Sequence, residues 1–123
     1  MEQGSTRPHA LPASARIRRR PEFLRVYEQG VRIRARLMTV IALPNTLGRS
    51  RLGIAATRKL GGAVVRNRAR RLVRELFRQG EVPPGFDIVV IPRLDMLNVD
   101  TRTLHAEFRY ALRRAGQPRP AGR

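Results

Sequence analysis

Gly61-Gly62-Ala63-Val64-Val65-Arg66-Asn67-Arg68-Ala69-Arg70-Arg71-Leu72-Val73-Arg74-Glu75-Leu76-Phe77-Arg78-Gln79-Gly80 is the stretch that organises this chain. Twin glycines break what precedes it and Gly80 closes it, which predicts a helix over 63–79. At roughly 100° per residue, Val65, Ala69, Leu72, Val73 and Leu76 form one apolar stripe. Asn67, Arg68, Arg70, Arg71, Arg74 and Arg78 occupy the opposite side, with Arg66 and Phe77 at the border. Such a helix must bury its stripe on other elements and leave its arginines outside.

The flanking segments supply those elements. Arg51 to Thr57 upstream and Asp87 to Ile91 downstream read as strands, the second apolar on both faces and bounded by Pro92. Pro44-Asn45 and Gly48 give turn chemistry between Arg36–Leu43 and the 51–57 strand, which predicts an antiparallel hairpin of those two runs. Val31 to Ala35 reads as a brief edge strand. A short helix over 21–29 begins at Pro21 and stops at Gly30. A last helix runs from Asp100 as N-cap to Ala115, with Leu104, Phe108, Ala111 and Leu112 on one face. Residues 1–15 read as a disordered leader without the apolar core of a secretory signal, residues 16–115 as one domain, and 116–123 as a frayed tail. The fold class is α+β: a small four-stranded sheet with three helices in the order α-β-β-β-α-β-α.

Charge narrows the function. In 123 residues, 26 Lys plus Arg stand against nine Asp plus Glu, a formal net charge of +17, and Lys59 is the single lysine. Residues 7–36 carry nine Arg and two Glu, and residues 58–78 carry seven Arg, Lys59 and one Glu, so each block nets +7. The chain has no Cys, hence no disulfide framework and no thiolate metal site. No apolar run approaches the roughly 20 residues of a membrane span. Nucleic acid and anionic membrane surfaces are the candidate partners.

Arg66, Arg70, Arg74 and Arg78 form an i, i+4 row of like charges, each neighbour repelling by a few tenths of a kcal/mol. A solvated helix usually interleaves acids there; phosphates would relieve the row. An interfacial membrane helix needs bulky apolar residues facing lipid, but this stripe is required by the sheet and the chain lacks Trp. No helix-turn-helix spacing, zinc ligands or heptads point to DNA. RNA is the favoured partner.

The run from Lys59 to Glu75 (a basic pair, Gly, a small linker, Arg66-Asn67-Arg68, a spaced basic pair, Arg74-Glu75) resembles the signature of the bacterial ribonuclease P protein subunit. The likeness extends to Pro21-Glu22-Phe23, Val26-Tyr27, Gly30, Arg51-Leu52-Gly53-Ile54 and Phe86 to Arg93, covering about residues 16–115. It implies an accessory protein for a catalytic RNA that removes the 5′ leader of precursor tRNA, Mg²⁺-dependently, in the cytoplasm. Carried over, Arg66, Asn67, Arg68, Arg70, Arg71 and Arg74, with Arg58 and Lys59 beside them, face the RNA subunit. Phe23, Tyr27, Arg36 and Ile41 line a cleft for the single-stranded leader, although Met38 and Ile41 stand where the family often has aromatics. The resemblance also implies a left-handed crossover for strand 51–57, helix 63–79 and strand 87–91, where general rules make such units right-handed in about 98% of cases.

Side chains for protein-based cleavage are not assembled in the sequence. Its two histidines, His9 and His105, fall in the leader and on the last helix, where His105 reads as exposed. Asp100, His105 and Glu107 do not share a helix face for chelation. The expectation is no catalytic residue and no metal ligand in the protein, Mg²⁺ held mainly by the RNA subunit, and no membrane or small-molecule cofactor. The partners would be the catalytic RNA and precursor tRNA. A ribosomal-type RNA-binding protein and a protein-only nuclease are the alternatives.

Overall fold

Phe86–Pro92 forms β4, whose residues Asp87 to Val90 are all buried, and such a strand needs neighbours on both sides. In the computed structural model, which describes residues 11–116, it has them: the sheet order is β1-β2-β4-β3, with β1 Val31–Arg34, β2 Met38–Pro44 and β3 Arg51–Ile54. β2 pairs antiparallel with β1 and β4, and β3 pairs parallel with β4. Three helices, α1 Arg20–Gln29, α2 Ala63–Gln79 and α3 Thr101–Ala115, complete an α+β fold in the order expected. Two short 3-10 turns, Ala13–Ala15 and Leu94–Asn98, are added.

The expected hairpin of 36–43 with 51–57 does not form. β4 lies between β2 and β3 because the two strands buried on both faces take the centre, leaving β1 and β3 as edges. The tight hairpin is β1–β2 instead, closed by Ala35 N–H donating to the Met38 carbonyl at 2.9 Å. Glu107 on α3 accepts the Leu37 N–H and ties that bend down. β2 begins at Met38, so Arg36 sits in the bend rather than on the strand. β3 ends at Ile54, three residues short of expectation, although Ala55 N–H still reaches the Val90 carbonyl at 3.0 Å.

Residues opposite one another on paired strands share a face. One face, with Met38, Val40, Ala42, Leu52, Ile88 and Val90, packs under α2 and α3, where Phe108 is fully buried. The other, with Ile41, Val89 and partly Leu43, Ala55 and Ile91, packs under Val26, Phe23 and Tyr27 of α1. α2 buries Ala69, Val73 and Leu76, members of the stripe its sequence displays. Gly61 begins the turn into α2 at φ +150°, a backbone conformation that side-chain-bearing residues rarely adopt. Asp100 caps α3, its carboxylate accepting the Thr103 N–H at 2.8 Å.

The leader expected over 1–15 is corrected for residues 11–15. Leu11 is buried in the main core and Ala13–Ala15 forms a 3-10 turn, after which Arg16 bridges to Leu52 and Ile17 N–H donates to the Leu52 carbonyl at 2.8 Å. Residues 1–10 and 117–123 of the expected leader and tail lie outside the described residues.

Candidate nucleic-acid interface

α2 turns its arginines away from the sheet, but they are not equivalent. Arg68 and Arg71 are exposed, and Arg68 reaches the Leu97 carbonyl at 3.4 Å. Arg70 donates to Asn67 Oδ1 at 3.1 Å, while Arg78 is neutralised by Glu75 at 2.8 Å. Arg66 is half-buried, and its Nε has no hydrogen-bond partner. Arg58 and Lys59 stand exposed on the turn just before α2, fixed there because Leu60 is buried against Ala56 and Ala69.

Arg74 is the most constrained of the row. It is half-buried, and burial, then the charges of Arg16 and Arg70, push its guanidinium below the ordinary arginine pKa. Arg16 arrives from the segment docked on β3, and its buried Nε also lacks a partner. Arg16, Arg18, Arg70 and Arg74 line a hollow of about 280 Å³ with Ile17 and Phe23. The two +7 blocks of the sequence thus meet at one place. Arg16 and Arg18 were not singled out from sequence; the Arg-rich run 16–20 was the available signal, but its docking on β3 depends on contacts far away in the chain.

α1 supplies the second surface. Phe23 and Tyr27, one turn apart, have ring centroids 6.3 Å apart with planes tilted by 50°. Phe23 can lie on β3 because Gly53 has no side chain: a Cβ there would be 2.8 Å from the ring. Arg18, Arg20, Phe23, Leu24, Tyr27 and Ala55 line a groove of about 330 Å³. The Arg32 guanidinium lies 5.9 Å from the Tyr27 ring centroid, within cation–π range.

Two predicted cleft residues sit elsewhere. Ile41 is fully buried beneath α1, packed with Val26, Val89 and Ile17, so it supports the groove and offers it no surface. Arg36 is exposed at the β1–β2 bend. Because β2 is buried on both faces, its sequence has no alternation from which to read a side chain's direction.

An ion network fixes α1 over the sheet. The Arg51 guanidinium donates to both carboxylate oxygens of Asp87, at 3.0 and 2.8 Å, and to Glu22 at 3.0 Å. Asn45 donates to Asp87 at 2.8 Å. Glu22 also accepts the Arg18 and Arg19 N–H groups at 3.3 Å, capping the first turn of α1. Burial pushes both carboxyls up, yet the hydrogen bonds from Arg51, Asn45 and the backbone outweigh it and hold both below their ordinary values.

Among the described residues no three His, Cys, Asp or Glu side chains come together as a metal site. Four of the carboxylates are engaged otherwise: Asp87 and Glu22 on Arg51, Glu107 on Leu37, and Asp100 on Thr103. His105, expected to be exposed, is half-buried on α3.

Residues 11–116 match a family model described as Ribonuclease P. The ribonuclease P protein component of Thermotoga petrophila is 46% identical over 80 residues, covering 63% of this chain and 68% of that one. That of Dehalococcoides mccartyi is 37% identical over 102 residues, covering 83% and 85%. Among solved structures, the RNase P protein from Thermotoga maritima aligns with a TM-score of 0.75 and 37% identity, over 83% of this chain and 98% of that one.

Proposed function

The chain belongs to the ribonuclease P protein family, whose place is in tRNA processing, and from that premise we propose that it is the accessory subunit of an RNA-based endoribonuclease. Its α2 face binds the catalytic RNA, and its α1 groove holds the 5′ leader of precursor tRNA while the RNA cleaves. The observation that carries this reading is the convergence of Arg16, Arg70 and Arg74 on one hollow beside Phe23. Three guanidiniums crowded at partial burial repel one another, and a phosphate between them reverses the sign of that interaction.

The two surfaces suit different targets. An arginine face on a rigid helix complements the fixed phosphates of a folded RNA. Tilted rings in a groove suit unpaired nucleotides, where stacking is worth about 1–3 kcal/mol per base and tolerates any sequence. We assign the Mg²⁺ to the RNA; the protein's share is to lower phosphate repulsion around it. We place the assembly in the cytoplasm. Among the described residues no helix is long and apolar enough to cross a membrane.

Reconstitution with the RNA subunit at low Mg²⁺ tests the proposal. Cleavage of precursor tRNA should require the RNA, and the protein should lower the Mg²⁺ needed; cleavage by the protein alone would overturn the accessory role. Arg68→Ala should weaken assembly with the RNA subunit. Tyr27→Ala should weaken leader-bearing substrate more than mature tRNA, and equal losses for both would contradict the groove assignment.

A further inference from the structure

Edge strand β1 carries two arginines whose direction the sheet dictates. Arg32 pairs with Ile41 and Arg34 with Thr39, which puts both side chains on the face that carries α1. Val31 and Ile33 point to the opposite face, where Ile33 packs on the main core. Both arginines are exposed, and among the described residues no carboxylate pairs with either. Arg32 already stands over Tyr27 at 5.9 Å.

The surface beside them has little to offer a base edge. At the level of Arg34 the sheet continues through Thr39 and Ile91 to Ala55, which lines the groove with Phe23 and Tyr27. Ile91 and Ala55 are apolar, and Thr39 is only 6% exposed. Sequence readout needs hydrogen-bonding groups aimed at base edges, and this floor supplies almost none. What the β1 side does supply is charge.

We infer that Arg32 and Arg34 form a phosphate rail along the leader groove: they hold successive backbone phosphates of the 5′ leader while its bases turn toward Phe23 and Tyr27. Residues i and i+2 of a strand are roughly 6.6–6.8 Å apart on one face, close to the separation of neighbouring phosphates in an extended single strand. Guanidinium forks suit phosphate oxygens, and Arg32 can hold a phosphate while its plane stays near Tyr27. The leader would then be gripped through its backbone, whatever its sequence. This inference rests on the assignment of the α1 groove to the leader.

The test uses the reconstituted holoenzyme and compares its affinity for leader-bearing and leaderless tRNA. In the Arg32→Gln/Arg34→Gln variant the ratio of the two affinities should fall on the order of tenfold, equivalent to ~1.4 kcal/mol. The slope of log affinity against log salt for leader-bearing substrate should become shallower by about 1.4, since each single-strand phosphate contributes about 0.7. A leader with neutral methylphosphonate linkages should weaken binding to the unaltered protein and abolish the difference between it and the variant. The weakening seen with the unaltered protein does not depend on how the variant folds. An unchanged ratio in the double variant, with Tyr27→Ala still lowering it, overturns the rail and leaves the groove standing. If Tyr27→Ala also leaves the ratio unchanged, the groove assignment fails and takes the rail with it.

Discussion

Replacing Arg51 with methionine keeps the stem and removes the charge that spans Asp87 and Glu22. Asp87 is 2% exposed and would keep only its hydrogen bond from Asn45. Removing one partner of a buried ion pair costs about 3–5 kcal/mol; the remaining amide and the 17% exposure of the Arg51 side chain put Arg51→Met at the low end, about 3 kcal/mol. The Glu22 arm, 32% exposed, adds at most about 1 kcal/mol because water screens it. In urea, with a slope of about 1–3 kcal/mol/M, the unfolding midpoint should drop by roughly 1–3 M at pH 7. The double variant Arg51→Met/Asp87→Asn leaves no buried charge unpaired, only the part-exposed Glu22, and should recover most of the loss. Acid gives the same answer from another direction. Both carboxyls are depressed in the folded protein, so their stabilisation is fully present above the unfolded values near pH 4 and is lost as pH falls through the folded ones. In Arg51→Met the burial of Asp87 is no longer opposed by the guanidinium, and acidification below pH 4 should cost that variant less than the unaltered protein. A midpoint shift under about 0.5 M, or a double variant no more stable than the single, would refute this account of how α1 is held.

Other outcomes follow from the same geometry. Gly53→Ala places a Cβ 2.8 Å from the Phe23 ring and 3.2 Å from Ile17, and should destabilise by about 1–3 kcal/mol in thermal unfolding; Phe23→Leu in the same background should return part of it. Arg74→Met should separate stability from binding. Losing one of three crowded cations leaves the free protein unharmed or slightly more stable, while affinity for the RNA subunit falls and its salt slope shrinks by about one. Parallel loss of stability and affinity would argue against a site built for anions.

α2 was legible to its end residues because its evidence is local: a 3.6-residue period, glycines at both ends, and arginines that cannot face a core. The same holds for Asp100 as the cap of α3. β2 and β3 as neighbours were misread because strand adjacency is decided by what each strand buries, and β4 claims the centre through residues more than thirty positions away. Leu11, read as part of a disordered leader, was lost in a Pro/Ala/Ser background, since one isolated apolar residue has no period to detect. Arg36 and Ile41 show a subtler failure. A strand start displaced by two residues and a β2 buried on both faces leave the sequence without a record of which side chains reach the groove. By contrast, Val31-Arg32-Ile33-Arg34 alternates with period two, and that pattern does reveal an inner and an outer side.

The central position of β4 also dictates an order of events during synthesis. Until residue 92 has been made, β2 and β3 have no common neighbour, and the sheet exists at most as the β1–β2 hairpin. Arg16 and Ile17, made well before β3, dock on Leu52 and must wait for a strand that itself waits for β4. A meander could close strand by strand from its beginning; this topology instead commits nearly the whole sheet at once, when three-quarters of the chain is already available. Both +7 segments are complete by then, so the nascent protein presents its two most basic stretches before it has a sheet to mount them on.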